Sequence, residues 1–224
     1  MRKKMVALLA GAMMMLATSA MATPITALEL TATGAASPVT ILDGGSGDIS
    51  STTGIVAWAG NLGNFMFNIA AGSTAPAIGS AADPQMHLTG YANSGASAGT
   101  FTVKFSSTDF GPMGNGLNGF ISAMNGAGGV QSLDVFYDAG NALFATTTQI
   151  ANINTINTFD IYNGIPASNP FSLTMIATMT VNPYSAASFD NTVAPVPEPG
   201  TMMLLGMGML GMAVYGKRRM NKEA

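Results

Sequence analysis

Clusters of Gly, Pro, Asn and Asp recur between short apolar runs from Thr23 to Ala194, and this punctuation constrains the fold more than any other feature. Asp43-Gly-Gly-Ser-Gly-Asp48 and Gly111-Pro-Met-Gly-Asn-Gly116 are two such breaks. They leave no room for a long helix, because Gly and Pro end helices and favour turns. Between them lie strand-like runs. Phe101-Thr-Val-Lys-Phe105 alternates apolar and polar residues at period two, the pattern of a half-buried strand. Ser132 to Asp138 is short, apolar and aromatic, and Phe171 to Val181 is rich in Thr, Met and Ile. Ile55–Trp58 and Leu62–Ile69 flank Ala59-Gly60-Asn61, which reads as a hairpin turn. Ser188 to Val193 reads as the last strand, while Gly119–Met124 and Leu143–Ala151 fit either helix or strand. Many short strands with regular turn signals predict an all-β fold. The expected form is a β-sandwich of antiparallel strands, jelly-roll-like or Ig-like.

The two tails have a different grammar. Arg2, Lys3 and Lys4 precede an apolar run from Met5 to Leu16, and Ala20-x-Ala22 places small residues where a signal peptidase requires them. Residues 1–22 are thus expected to be a signal peptide cleaved after Ala22. The chain has no cysteine, which excludes a disulfide framework and lipid attachment through Cys. At the other end, Thr201 to Tyr215 is apolar and Lys217-Arg218-Arg219 follows it. As a helix those fifteen residues span about 22 Å, short of the roughly 30 Å hydrocarbon core, and snorkelling cations make up part of the difference. The expected anchor is a helix over 201–216, carried by Thr201, Leu204, Leu205, Leu210, Val214 and Tyr215, with a basic tail over 217–224. Cations stay on the cytoplasmic side. This places the C-terminus in the cytoplasm and residues 23–194 outside the inner membrane.

Between the tails the composition is acidic. Lys104 is the one basic residue from 23 to 194, against Glu29 and eight aspartates, a formal charge of −8 where the whole chain reads −3. Binding nucleic acid by charge is thereby disfavoured. Solvation must come from Asn, Ser, Thr and Gly.

Pro197-Glu198-Pro199, the short apolar run and the cations of Lys217 to Arg219 together closely resemble the PEP-CTERM sorting signal, found on exported proteins of Gram-negative, exopolysaccharide-making bacteria. The resemblance implies recognition by an exosortase, a membrane-embedded cysteine peptidase-like enzyme, and processing at or near Pro197, Glu198 and Pro199. It also implies release to the cell surface or an exopolysaccharide matrix. The layout is physically sensible. Paired prolines stop the helix from propagating back and keep residues 195–200 an extended, stiff spacer. Met202, Met203, Met207, Met209 and Met212 depart from the usual Leu, Ala or Val, but Met is equally apolar. Leu42-Asp-Gly-Gly-Ser-Gly-Asp48, Gly63-Asn-Phe-Met-Phe-Asn68, Phe171-Ser-Leu-Thr-Met175 and Ser188-Phe-Asp-Asn191 resemble stretches of many PEP-CTERM passenger domains. That group has no assigned activity.

Candidate chemistry is sparse. His87 is the only histidine, which nearly excludes a His/Cys metal site, and no catalytic residue is assigned. Gly95-Ala-Ser97-Ala-Gly99 fits a nucleophile elbow, but a strand follows it where that motif requires a helix. Glu29 is the domain's only Glu, which weakens a glycoside hydrolase reading built on paired carboxylates. Asp43 and Asp48 flank a glycine turn and are a weak calcium pair, the only cofactor candidate. Trp58, Tyr91, Tyr137, Tyr162 and Tyr184 would stack on sugar rings if they shared a face. The sequence therefore predicts a non-enzymatic exported protein of the cell surface or matrix. A carbohydrate- or calcium-binding module is the alternative and a hydrolase the third choice.

Overall fold

The computed structural model describes residues 24–114, 117–164, 170–197, 205–210 and 212. Twelve strands among them pair only in antiparallel fashion. They are β1 (Thr26–Ala32), β2 (Val39–Leu42), β3 (Ile55–Leu62), β4 (Phe65–Ser73), β5 (Met86–Ser94) and β6 (Gly99–Phe110). The rest are β7 (Leu117–Ala127), β8 (Val130–Asp138), β9 (Thr148–Ile153), β10 (Thr158–Asn163), β11 (Phe171–Val181) and β12 (Ala186–Pro197). One six-stranded sheet has the order β2-β1-β6-β11-β8-β9, and the other β10-β7-β12-β5-β4-β3.

The sheets are held face to face by aromatic side chains from alternate strand positions. Eight of the eleven phenylalanines are fully buried. Phe101 on β6 meets Phe65 and Phe67 on β4 edge-on, each with ring centroids 5.0 Å apart, and Phe189 on β12 at 6.2 Å. Phe171 on β11 reaches Phe120 on β7 at 6.5 Å. These pairs cross between sheets, so the molecule is a β-sandwich with one continuous core. Gly72 makes the close approach feasible, because a Cβ there would lie 2.2 Å from the Phe105 ring.

The outer face of the first sheet is polar with little charge. Thr100 pairs with Thr180, Thr102 with Thr178 and Ser106 with Thr174 through their hydroxyls across β6 and β11. Lys104 donates to Glu29 at 2.8 Å across β6 and β1. Cross-strand pairs of this kind stabilise a sheet face where charge is scarce.

The strands expected around Phe101–Phe105, Ser132–Asp138 and Phe171–Val181 are present as β6, β8 and β11. One turn is misplaced. The chain does not reverse at Ala59-Gly60-Asn61, where the ladder instead shifts register between Trp58 and Gly60, a β-bulge. It reverses at Gly63-Asn64, with Leu62 opposite Phe65. Gly63 adopts φ +55°, and a Cβ there would fall 2.2 Å from the Thr33 carbonyl oxygen. Of the ambiguous pieces, Gly119–Met124 is strand within β7, and 148–151 begins β9.

Candidate functional site

The sorting motif is met at the end of β12, which runs four residues past its expected end at Val193. The spacer from Ala194 onward is therefore partly sheet. Ala194, Pro195, Val196 and Pro197 stand opposite Ile121, Phe120, Gly119 and Leu117 of β7. On the other side β5 begins only at Met86, opposite Val193, so these last residues are paired on one side. Proline has no N–H for a ladder and is tolerated in a strand where that position faces an open edge. Two prolines there also deny the edge to an incoming strand. Proline's extended φ is compatible with a strand, which lets Ala194 to Pro197 continue β12 although no polar–apolar alternation marks them.

Pro197, the first residue of Pro197-Glu198-Pro199, stands opposite Leu117 and is the last residue of β12 among the described residues. Glu198 and Pro199 lie outside the described residues, as do Ala20, Ala22, Thr201, Leu204, Val214, Tyr215, Lys217, Arg218 and Arg219. Leu205 and Leu210 belong to the helical residues 205–210, and both are exposed. No helix among the described residues is long and apolar enough to cross a membrane.

The other candidates are used structurally. Asp48 accepts from the amides of Gly44, Ser50 and Ala57, each at 2.9 Å, and Asp43 from the Gly54 amide at 2.7 Å. These carboxylates hold the glycine turn through amide donors. Among the described residues no group of three His, Cys, Asp or Glu side chains comes together as a metal site. His87 meets Asp190 at 2.9 Å on neighbouring strands β5 and β12. Ser97 is exposed on the β5–β6 connection, and β6 rather than a helix follows.

The five aromatics do not share a face. Tyr137 is buried in the core, and Trp58 packs on Phe67 at 5.7 Å. Tyr162 is half-buried against the core, Tyr184 projects from the β11–β12 turn, and Tyr91 stands alone among them on the outer side of β5. Register decides this: Tyr91 and Tyr137 fall on opposite phases of their strands. A hollow of about 290 Å³ near the β3–β4 turn is lined instead by Asn61, Asn64, Met66, Asn93 and Ser94.

Asp138 shows what the carboxylates contribute. The Ala142 amide donates to its Oδ2 at 2.9 Å and the Thr147 hydroxyl to its Oδ1 at 2.7 Å, tying the 139–147 loop to β8. The Ala142 amide first, then the Thr147 hydroxyl and the Gly140 amide, hold its pKa below the ordinary carboxylate range, although burial opposes them. A carboxyl whose folded pKa is depressed contributes stability above its unfolded pKa and loses it as pH falls through the folded value. Asp138→Asn is expected to cost about 1–3 kcal/mol at neutral pH. Melting curves at pH 7 and near pH 3 should show the gap to wild type closing at the lower pH.

Comparisons with known proteins bear mainly on the C-terminal region. No curated protein matches the sequence. Among solved structures, TmCBM61 in complex with β-1,4-galactotriose aligns at 10% identity, covering 57% of this chain and 87% of its own, with a TM-score of 0.29. The low-affinity xylan-binding module CBM86 from Roseburia intestinalis aligns at 13% identity, 65% and 97% coverage and a TM-score of 0.26. A family 29 carbohydrate-binding module gives 9% identity, 76% and 90% coverage and a TM-score of 0.24. At such scores neither fold nor ligand transfers to this chain. Residues 195–219 match the family model described as the PEP-CTERM protein-sorting motif. The chain thus carries a PEP-CTERM protein-sorting motif at residues 195–219, the kind of signal that indicates an exported, membrane-sorted protein.

Proposed function

We propose that this is a non-enzymatic exported protein of the cell surface or extracellular matrix. In this reading residues 1–22 are removed on export, the segment 201–216 holds the chain in the inner membrane, and processing beside Pro197 frees the body. The observation that carries it is the end of β12, whose pairing with β7 reaches Pro197, so that the sandwich runs directly into the sorting motif matched at residues 195–219. The eight strands β5 to β12 support the jelly-roll form of the sandwich. Taken alone they have the orders β10-β7-β12-β5 and β6-β11-β8-β9, with β1–β2 and β3–β4 as added edges.

A structural role is supported by how the carboxylates are spent. Glu29 pairs with Lys104, Asp190 with His87, and Asp134 accepts from Gln149. Asp109 and Asn141 bond reciprocally, and Asp138 is held on the acidic side of its usual range, the reverse of what a general acid requires. A second reading, a carbohydrate-binding module of the matrix, rests on the asparagine-lined hollow, whose amides suit sugar hydroxyls. Fractionation of growing host cells tests the main reading. The body should collect at the surface or in the medium and the full-length form in the membrane. A body found only in the cytosol with Arg2 still attached would sink it.

A further inference from the structure

The outer face of the sheet that carries β12 changes character along its length. Near the start of β12, Ser188 and Asp190 stand beside Tyr91 and Thr89 of β5 and Ala127 and Asn125 of β7, an ordinary polar surface. Near its end the face becomes largely apolar, with exposed Thr192, opposite Ala123, as the polar residue of β12 at its border. Ala194 stands opposite Ile121 of β7, which stands opposite Ile161 of β10, and Phe159 of β10 stands opposite Ala123. Phe159 is 64% exposed and Ile161 48% exposed, on an edge strand whose solvent face should be polar in an antiparallel sheet. With half-buried Val196 these residues form one patch over three adjacent strands. Asp160, the charged residue between Phe159 and Ile161, falls on the opposite phase of the strand. A contiguous exposed apolar patch marks an interaction surface.

The covalent chain indicates what covers it. Three residues separate Pro197 from Thr201, the start of the apolar run, so the two α-carbons are at most about 14 Å apart. A body this close to its anchor cannot leave the bilayer surface, and Val196 of the patch immediately precedes Pro197. We propose that the face formed by Phe159, Ile161, Ile121, Ala123, Ala194 and Val196 lies against the lipid surface while the chain is unprocessed, holding Pro197 at the membrane. The inference rests on the anchor reading above. The contact is apolar rather than electrostatic, because the region from 23 to 194 carries a formal −8 and anionic lipid would repel it.

The chain contains no cysteine, so single-cysteine labelling is clean. The full chain is placed in phosphatidylcholine vesicles carrying a shallow lipid-borne quencher, with an environment-sensitive fluorophore at Ala123→Cys, Met66→Cys or Met209→Cys. Met66 lies on β4, opposite Asn93 near the end of β5, away from the patch. The proposal expects labels at 123 and 209 to be quenched and the label at 66 to remain bright. Adding Phe159→Ser and Ile161→Ser should abolish quenching at 123, leave it at 209, and leave the melting temperature of the body near that of wild type. Quenching at 209 without quenching at 123 overturns the proposal and leaves the anchor standing. No quenching at 209 removes the anchor and the proposal together. A label at 123 that is blue-shifted but unquenched, on particles of doubled protein mass, assigns the face to a second copy and overturns membrane contact. Quenching at 123 that survives the two serines also overturns it.

Discussion

In cells that make an exosortase, the chain with Pro197→Ala, Glu198→Ala and Pro199→Ala is expected to stay full length in the membrane fraction while wild type is shortened. The processed fraction should fall by at least about tenfold, the factor that the loss of about 1.4 kcal/mol of recognition produces. The reasons are local. Two prolines keep the segment extended and bar the apolar helix from growing back through it. Three alanines remove both restrictions and the one carboxylate between them, and alanine is the strongest helix former. Pro197 stands at the end of β12, on a stretch paired with β7 on one side, so the body should keep its stability to within about 0.5 kcal/mol. Immunoblotting of membrane and medium fractions reads the processing, and thermal melting confirms that the fold survives.

The largest effect on stability is expected from Phe101→Ala. Its ring is buried and lies against Phe65, Phe67 and Phe189, so it joins one sheet to three rings of the other. Truncation removes that transfer energy and leaves a cavity between two rigid sheets, which together cost about 3–5 kcal/mol. For a domain of this size the midpoint should fall by roughly 6–20 °C. Against a total stability on the order of 5–15 kcal/mol, such a loss would leave much of the protein unfolded or aggregated on expression. Tyr184→Ala is the matched control: its side chain is 81% exposed, and the midpoint should barely move. A midpoint for Phe101→Ala equal to that of the control would contradict the packing of the two sheets through this ring.

What was legible in the sequence was local. Period-two alternation in Phe101–Phe105 and the β-branched run Phe171–Val181 identify strands, because each side chain's face is set by its neighbours two residues away. The sorting motif is equally local: a proline pair, an apolar run and cations in fixed order. What was not legible depended on distant pairing. No short-range pattern shows that β1 lies beside β6, or that β11 inserts between β6 and β8. The turn was misplaced because Gly60-Asn61 and Gly63-Asn64 carry the same two residue types, and only the ladder shows that the first is a bulge. The aromatic platform failed for the same reason, since Tyr137 faces the core and Tyr91 the solvent according to strand phase. The extension of β12 through Pro197 was hidden because prolines ordinarily interrupt a sheet, and their tolerance there depends on β5 beginning only at Met86.

Intact mass of the wild-type protein recovered from host surface and medium tests the central claim most directly. The expected species begins at Thr23 and ends between Pro197 and Gly200, since β12 is paired with β7 from Ser188 through Pro197. A species that ends before Ala194 would mean that the last strand is stripped from β7 during processing. One that retains Lys217 to Ala224 in a host making an exosortase would contradict the account, leaving the C-terminal region as an anchor and the protein as a membrane-tethered domain.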